Sequence, residues 1–265
     1  SDYDGGELNR MHELTWVVNS STYDQQVSPT KPMINHYLNA DGTPITHEGK
    51  VNINEELTGR DGRLTACVHH PGYTYTKTNG ETLLKQTNTT YTYNFYQNVK
   101  FSIEMEENYS KGKNDNDYPI LRYGEVLLNY AEACAEMGSM TQADADKSIN
   151  LLRTQHGKIP ALTVAGTTVS VNGTVITKDP KNIYGVNELI WEVRRERRNE
   201  LICDGFRTDD LKRWKMGAQL DFAKNPSGIV GVSEAAVQAY YDYTKNVYDW
   251  NGLHDGKEWA DIEGD

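Results

Sequence analysis

Residues Tyr118–Gly157 read YPILRYGEVLLNYAEACAEMGSMTQADADKSINLLRTQHG and predict a pair of helices. Apolar residues recur in this segment at spacings of three and four, as one face of an α-helix requires. They are Leu121, Val126, Leu127, Tyr130, Ala131, Cys134 and Met137, followed by Ala145, Ile149 and Leu152. Gly138 is expected to end the first helix and Thr141 to cap the second, which gives an antiparallel helical hairpin. Its length of about 34 residues is typical of a tetratricopeptide-like unit.

Downstream of the helical hairpin, the sequence predicts a β-hairpin and a long charged helix. Thr- and Val-rich segments flank Asn172-Gly173, a pair favoured in type I′ turns, so we expect a small exposed β-hairpin near residues 168–177. Apolar residues at helical spacing then predict a helix from about Val186 to Cys203. Along it, oppositely charged residues fall at spacings that allow pairing. The pairs are Glu192–Arg195 and Arg197–Glu200.

A fourth helix, which contains Leu211 and Trp214, should end before Gly217. Its charged residues are expected to tie it to the preceding helix. They are Arg207, Asp209, Asp210 and Arg213. Residues 218–265 form a tail with a weak helical pattern and an acidic end.

The part of the chain before the helical hairpin predicts loops, short strands and one short helix. Clusters of turn-forming residues leave no room for long helices. After Pro32, apolar residues at helical spacing predict a short helix that ends near Asp41. The segment YTYNFY at Tyr91–Tyr96 alternates between two faces, as a strand does. We therefore expect a mainly α architecture with long loops and small β-hairpins, divided into a loop-rich ligand-face region (1–117), a helical region (118–217) and the tail (218–265).

Composition narrows the classes of function. The chain has 265 residues, and its 27 Lys and Arg against 38 Asp and Glu give a net charge of −11, which disfavours nucleic acid as a partner. No run of apolar residues approaches the ~20 needed to span a bilayer. Cys67, Cys134 and Cys203 are too scattered for a disulfide framework or a zinc site, and we interpret them as buried apolar side chains. Tyr (17) and Trp (5) outnumber Phe (4), and aromatic residues with a polar group are common at wet surfaces.

Two segments resemble the SusD/RagB family. They are the helix sequence Tyr118–Ala133 and the run ERRNELICDGFRTDDLKRW at Glu196–Trp214. An earlier element, Asp61–Leu64, is similar to a DPRL-like element of the family, with Gly62 in the place of its proline. The resemblance covers about residues 29–216, in the family's order.

The resemblance implies a surface-exposed lipoprotein of the Gram-negative outer membrane that captures glycans for a SusC-like TonB-dependent transporter. Proteins of this family bind oligosaccharides or polysaccharides without catalysis, and their tetratricopeptide-like hairpins support a loop-rich ligand face. No cofactor is expected, and contact with the membrane is implied only through a lipid anchor. The family's N-terminal half, with its lipidated cysteine, and its closing segment are not recognisable here. We therefore expect the chain to be the C-terminal part of a larger α domain.

Tyrosine and tryptophan side chains suit sugars, because an aromatic ring stacks on the apolar C–H face of a pyranose while polar groups bond its hydroxyls. The candidate stacking residues are Tyr73, Tyr75, Tyr91, Tyr93, Tyr96 and Trp250. The candidate hydrogen-bonding residues are Asn94, Gln97 and Asn98. The alternative for each ring is a partly buried place in the core, which is our interpretation of Tyr130 and Trp214.

Catalytic and metal sites have weaker support. The charged helix Glu188–Glu200 offers groups for acid–base catalysis, but charges at this spacing are ordinarily solvated or paired with each other. His69 and His70 are adjacent, and adjacent residues in a strand point to opposite faces, which argues against a shared metal ion. The oxygen-rich segment 114–117 offers ligands for Ca²⁺, but a polar cap before the helix is the simpler interpretation. We therefore expect no catalytic residue and no metal site.

The main alternative function is a helical protein-interaction scaffold that docks on the transporter as a lid and takes a peptide or glycoprotein ligand. The placement of the aromatic rings separates the two functions. Rings that share one concave surface favour glycan capture, and buried or dispersed rings favour the scaffold. A third function, glycoside hydrolysis, would need two carboxylates about 5–10 Å apart in a cleft.

Overall fold

The structure, a computed structural model of the chain, describes residues 28–45, 56–70, 72–85, 96–110, 119–179 and 181–220, together with Thr15 and Lys113. Helices dominate, with two small antiparallel sheets. The helices in these ranges are α1 (Lys31–Ile34), α2 (Gly62–Cys67), α3 (Tyr123–Glu136), α4 (Gln142–Asp146), α5 (Ile149–Leu151), α6 (Glu188–Glu200) and α7 (Arg207–Arg213). The strands are β1 (Thr74–Thr76), β2 (Thr82–Leu84), β3 (Thr163–Ala165), β4 (Thr168–Val171) and β5 (Thr174–Val175). The first two strands form one sheet, and the other three form a second in the order β3-β4-β5.

The predicted first helix of the helical hairpin is confirmed as α3. The helix ends where Gly138 takes a left-handed backbone (φ 67°) and donates its N–H to the carbonyl of Ala135 (3.0 Å). Glycine adopts this conformation without the clash that a Cβ would cause. With 14 residues α3 is the longest described helix. No helix of the described ranges is long and apolar enough to cross a membrane.

The second half of the helical hairpin is interrupted. Thr141 caps α4 as predicted, and Thr141 and Asp144 each accept the other's backbone N–H with their side chains. The backbone then leaves the helical region at Ser148 (φ −130°, ψ −99°) and continues as α5 and a π-helical turn, Leu152–His156. Three short pieces thus replace the single helix expected. The helical hairpin is present, whereas its tetratricopeptide-like character stays a prediction.

The predicted β-hairpin is present but is not exposed on both faces. Asn172 and Gly173 both have positive φ (50° and 79°), as a type I′ turn between β4 and β5 requires. β3, which was not predicted, pairs with β4 and places Val164 opposite Val169. Both valines are buried in the core with residues of α3 and α6, so the sheet covers the helical layer.

Three buried apolar clusters organise the described residues, and the segment around α6 contributes to each. The largest includes Leu128 of α3, Ile149 of α5 and Val193 of α6, with the second sheet packed against them. The second joins α1 and α2 to Tyr96 and to Ile202, which follows α6. The third consists of Trp191, Leu211, Trp214 and Met216.

Most charged side chains of α6 are buried rather than solvated. The predicted pair Glu192–Arg195 is confirmed, with 3.1 Å between Arg195 Nε and Glu192 Oε1. Glu196 lies between two arginines of other elements, 2.8 Å from Arg63 Nη1 and 2.7 Å from Arg153 Nη1. Because α6 is enclosed by other elements, its charges find partners across the core as well as along the helix.

The predicted ion pair between Arg197 and Glu200 is wrong, because each of these residues finds a partner on another element. Arg197 Nε instead lies 2.9 Å from Asp210 Oδ2 of α7, which confirms that Asp210 ties the last two helices together. Glu200 accepts ion pairs from Arg63 (3.6 Å) and Arg122 (3.4 Å). When a helix is buried, the spacing of its charged residues does not determine which ion pairs they form.

Four further side chains differ from the sequence-based expectations. Arg213 pairs with Glu132 of α3 and with Asp210 of its own helix, so it does not tie α7 to α6. Asp209 is exposed and pairs with Lys212 of the same helix (3.5 Å), so it does not tie α7 to α6. Tyr130 is 38% exposed, because the buried face of α3 runs beside it and its hydroxyl donates to Asp144 Oδ1 (2.6 Å) at the surface. Cys203 is exposed, since it lies in the turn that follows α6. Trp214 is buried as predicted, as are the other two cysteines.

Candidate functional site

Tyr73 and Tyr75, two of the predicted stacking residues, lie on the β1–β2 hairpin. The strands are antiparallel with Tyr75 opposite Leu83, and Lys85 donates its backbone N–H to the carbonyl of Tyr73 (2.8 Å). Residues two apart in extended backbone share a face, so the two rings project to the same side of the hairpin. Both side chains are half-buried.

A third tyrosine completes the group. Tyr109 ends the 3-10 turn Glu106–Tyr109, and its ring centroid lies 5.8 Å from that of Tyr75, with 38° between the planes. The segment before this turn is fixed to the hairpin by a hydrogen bond from the N–H of Thr76 to the carbonyl of Glu104 (2.8 Å). We call the three tyrosines the aromatic platform: Tyr73, Tyr75 and Tyr109.

One ion pair holds two of the rings in place. Lys85 Nζ lies 2.5 Å from Glu104 Oε2. The hydroxyl of Tyr109 donates to the same oxygen (2.6 Å), and the hydroxyl of Tyr73 donates to Oε1 (3.1 Å). The Lys85 ammonium also lies 4.7 Å from the centroid of the Tyr109 ring, a cation–π contact. Because these groups converge on one carboxylate, the two rings have little rotational freedom.

The pKa values of Glu104, Tyr73 and Tyr109 shift in the directions expected for an ionised Glu104 carboxylate. Burial raises the pKa of Glu104, but Lys85 and the hydrogen bonds outweigh it, and the pKa lies below its ordinary value. Burial and the Glu104 carboxylate raise the pKa of Tyr73. Burial and the hydrogen bond to Glu104 raise the pKa of Tyr109. Both tyrosines therefore remain protonated donors over the physiological range.

This arrangement suits the binding of a flat, partly apolar molecule. The three tyrosines are half-buried, and the neighbouring Leu84 and Met105 are 49% and 42% exposed. The hairpin tip adds exposed polar side chains at Thr78 and Asn79. Sites for small molecules combine apolar and aromatic surface with a few polar groups in this way.

The other predicted ligand residues do not join this surface. Tyr96 is fully buried in the second apolar cluster, and its hydroxyl donates to Glu56 Oε2 (2.7 Å). Gln97 and Asn98 are buried beside it, since Asn98 bridges to Val68 at the end of α2. This burial corrects the expectation that the three side chains face a ligand. Tyr91, Tyr93, Asn94 and Trp250 lie outside the described residues.

Tyr109, Lys85 and Glu104 carry no sequence pattern that marks them as site residues. Tyr109 stands in a segment without helical or strand periodicity, and Glu104 reaches Tyr73 across 31 positions of sequence. A contact of this range leaves no local pattern. The excess of tyrosine over phenylalanine was the available signal.

The two adjacent histidines border the platform. His69 Nε2 lies 2.9 Å from the carbonyl of Lys85, and burial lowers the pKa of His69 to about 3, so its ring is neutral. The His69 and His70 rings lie 5.2 Å and 5.6 Å from that of Tyr73. Among the residues the structure describes, no group of three His, Cys, Asp or Glu side chains is arranged to hold a metal ion. The segment 114–117 is outside those residues.

Comparison with known proteins points to one family. The model of the SusD family matches residues 12–260. Among solved structures, a SusD-like protein from Bacteroides fragilis NCTC 9343 is 25% identical, with a TM-score of 0.51 over 72% of this chain and 36% of that one. A SusD-like carbohydrate-binding protein from the same organism is 23% identical, with a TM-score of 0.45 over 71% of this chain and 35% of that one. The chain thus spans about a third of the length of these structures. No curated protein matches it.

Proposed function

Since this chain belongs to the SusD family, whose model matches residues 12–260, we propose that it is a non-catalytic protein that binds oligosaccharides or polysaccharides. The aromatic platform is the observation that supports the proposal most directly. Glu104 orients two of its rings, Tyr73 and Tyr109, and all three tyrosines keep part of their surface exposed for contact with a sugar. Glu104 is engaged by Lys85 and two tyrosines, which leaves it poorly placed for acid–base chemistry.

In this function the sugar ring lies on the Tyr75 and Tyr109 faces with its C–H groups against them. Thr78 and Asn79, which are exposed at the hairpin tip, then bond hydroxyls of a longer saccharide. The loss of one stacking ring is expected to weaken binding by about 1.5 kcal/mol, which is about tenfold in Kd.

Retention on native gels that contain a panel of polysaccharides tests the proposal. We expect Tyr75→Ala and Tyr109→Ala to lose retention on a polysaccharide that slows the unmodified protein. Tyr75→Phe keeps the ring and should keep retention. Tyr123→Ala, which removes a 71% exposed tyrosine from α3, is the matched control and should also keep it. Equal retention of all variants, each checked for folding by circular dichroism, would remove the platform from glycan binding.

The proposal extends to a location and a partner. The protein would be held at the outer surface of the outer membrane by a lipid anchor and would pass glycans to a SusC-like TonB-dependent transporter. Family membership supports this part. Co-purification of the transporter with the full-length protein from native membranes tests it, and a full-length protein that fractionates with the periplasm contradicts it.

A specific observation favours a second function, docking of a partner on α3. Tyr123, Val126, Tyr130 and Met137 repeat at spacings of three, four and seven, so they form one stripe, and all four are exposed. An exposed apolar stripe of this kind often marks a protein contact. The partner would be the transporter, with the protein as its lid and a peptide or glycoprotein as the ligand. Tyr123→Ser with Met137→Ser should abolish co-purification and leave glycan retention intact; unchanged co-purification would contradict docking through α3.

A further inference from the structure

A group of positive side chains surrounds the C-terminal end of α1. Lys181 Nζ donates to the carbonyl of Asn35, which directly follows α1 (2.7 Å). Arg198 of α6 directs its Nε to Met33 Sδ (3.1 Å). Arg207 of α7 is close enough to lower the pKa of Arg198. We call these residues the cation cluster: Lys181, Arg198 and Arg207.

Two members of the cation cluster have no anionic partner. Within the ranges that the structure describes, no carboxylate oxygen lies at ion-pair distance from Arg198 or Lys181. The nearby Asp179 carboxylate is engaged, since it accepts from the Arg195 guanidinium and from the backbone N–H of Lys181 (2.8 Å). The other arginines of α6 have carboxylate partners, so Arg198 is the exception on this helix.

The pKa shifts of Arg198 and Lys181 agree with this geometry. Burial, together with the charge of Arg207, lowers the pKa of Arg198. Burial lowers the pKa of Lys181 to about 8 against the partial opposition of Asp179. The charge of Arg198 also lowers the pKa of Lys181, so these two side chains gain from the arrival of an anion.

Two buried nitrogen atoms near the cation cluster also lack hydrogen-bond partners. The cluster lies around His36, a buried side chain whose pKa is lowered by burial and by the charges of Arg198, Arg195 and Lys181. His36 Nδ1 has no hydrogen-bond partner, and neither does Nε1 of the buried Trp191, whose ring lies 5.8 Å from that of His36. Buried polar atoms are seldom left unpaired in the absence of a ligand or water.

The cation cluster is partly exposed to solvent. Lys181, Arg198 and Arg207 are each partly exposed, and so is the ring of Tyr184 beside them. We propose that Arg198 and Lys181 bind the carboxylate or sulfate group of an acidic saccharide. A guanidinium offers paired N–H donors that match such oxyanions, and an ammonium adds a point charge. The saccharide assignment rests on the proposed function, whereas the oxyanion chemistry follows from the cluster itself.

Calorimetric titration with matched pairs of saccharides tests the proposal. The first pair is trigalacturonate and its methyl ester, and the second is a galactose disaccharide with and without a 6-sulfate. We expect at least one charged member to bind about tenfold more tightly than its neutral counterpart, and the pair that shows the preference identifies carboxylate or sulfate as the group recognised. Equal affinities within both pairs would overturn the proposal.

Variants locate the effect. Arg198→Gln and Lys181→Gln should each reduce the preference for the charged member to about twofold or less, and Arg198→Lys should retain part of it. Lys178→Gln is the matched control, because it removes an exposed positive charge three positions from Lys181. A preference that survives in Arg198→Gln, or that falls as much in Lys178→Gln, contradicts the assignment to the cluster.

A measurement without saccharide separates the cluster from the proposed function. Sodium sulfate, compared with sodium chloride at equal ionic strength, should raise the Tm of the unmodified protein more than that of Arg198→Gln. In chloride, Arg198→Gln should be at least as stable, because it removes a cation that has no counterion. A strongly destabilised Arg198→Gln would instead make the residue a packing element.

The measurements distinguish failure of the oxyanion site from failure of the proposed glycan-binding function. Binding of neutral polysaccharides with no preference for charged ones leaves the proposed function standing and ends this inference. A sulfate effect on Tm without any saccharide binding ends the proposed function and the saccharide assignment. Competition by a hexaglutamate peptide but not by trigalacturonate would show that the cluster receives an acidic protein segment, which also overturns the saccharide assignment.

Discussion

At the scale of single residues, Gly157 shows how closely two distant segments approach. Its carbonyl accepts the N–H of Gly62 at the start of α2 (2.7 Å). A Cβ at position 157 would lie 2.8 Å from the carbonyl oxygen of Arg153 and 3.1 Å from Asp61 Oδ1. These distances leave no room for a side chain.

Gly157→Ala is therefore expected to lower the free energy of unfolding by about 1–3 kcal/mol, because the carbonyl and the Asp61 carboxylate must move apart. Urea denaturation measures the change. Gly217→Ala is the control, since its Cβ meets no atom within 4 Å in the described part of the chain, and it should shift stability by about 0.5 kcal/mol or less. Equal effects of the two substitutions would contradict the close approach.

Glu196 is the residue whose charge matters most to the core. It is fully buried and pairs with both Arg63 and Arg153. Glu196→Gln would leave two buried guanidinium groups without their shared carboxylate, and we expect a loss of about 3–5 kcal/mol in the free energy of unfolding at pH 7. Asp209→Asn, which breaks an exposed pair with Lys212, should cost about 1 kcal/mol or less. A small effect of Glu196→Gln in the same urea titration would mean that water or a rearranged partner replaces the carboxylate.

At the scale of elements, the sequence predicts the helices and turns that are marked by a pattern of neighbouring residues. α3 shows an apolar stripe and a terminal Gly138, and the turn between β4 and β5 shows Asn172-Gly173, whose positive φ values that pair favours. The interruption at Ser148 was not predictable, because the apolar pattern continues across it. The third strand was missed because β3 is short and depends on a partner strand.

The aromatic platform was only partly predictable, because its assembly also depends on contacts between distant segments. Tyr73 and Tyr75 were predictable because they lie just after the turn-forming pair Pro71-Gly72. Tyr96 has the same residue type, yet it is buried, since burial depends on what packs against the segment. Tyr109 joins the platform through Glu104, a contact between elements that no periodicity reports.

Glu132 connects two helices and makes their packing sensitive to acid. Its carboxylate on α3 accepts from Arg213 Nη2 of α7 (2.7 Å) and from Trp214 Nε1 (2.6 Å). Burial raises the pKa of Glu132, but these hydrogen bonds outweigh it, and the pKa lies below the ordinary value of 4.5. Burial is likewise outweighed by arginines at Glu196, whose pKa is also lowered.

The free energy of unfolding should consequently fall as the pH drops below about 5. A lowered folded-state pKa means that the unfolded chain binds more protons in this range, so the stabilisation is complete above about pH 4.5 and is lost as the pH falls through the folded-state pKa. Urea denaturation between about pH 7 and pH 3 measures the slope. Glu132→Gln should be less stable at pH 7 and show a shallower slope, whereas a slope equal to that of the unmodified protein would exclude Glu132 as a contributor.

At the scale of the molecule, the segment around α6 links the three apolar clusters. Val193 lies in the first, Ile202 in the second and Trp191 in the third. The hydroxyl of Tyr37 also donates to the carbonyl of Asn199, which joins the segment after α1 to α6 (3.1 Å). No cluster can open without disturbing this segment.

We therefore expect α2, α3 and α6 to unfold as one cooperative unit. Native-state hydrogen exchange, followed by mass spectrometry, should give the same opening free energy for peptides from these helices, with α6 among the slowest to exchange. The β1–β2 hairpin, which lies outside the three clusters, should exchange at lower free energy. Separate values for α2 and α6 would mean that the second cluster opens independently.

The ion pairs of α6 also constrain how such a sequence diverges. Glu196 serves two arginines at once, so a lineage that replaces one of the three must soon replace the others or tolerate a charge stranded in the interior. Among the described residues, the hairpin that carries Tyr75 contributes no side chain to the three apolar clusters. Under the proposed function, substitutions at exposed positions of this hairpin would therefore alter which ligand is bound without breaking the ion pairs of α6.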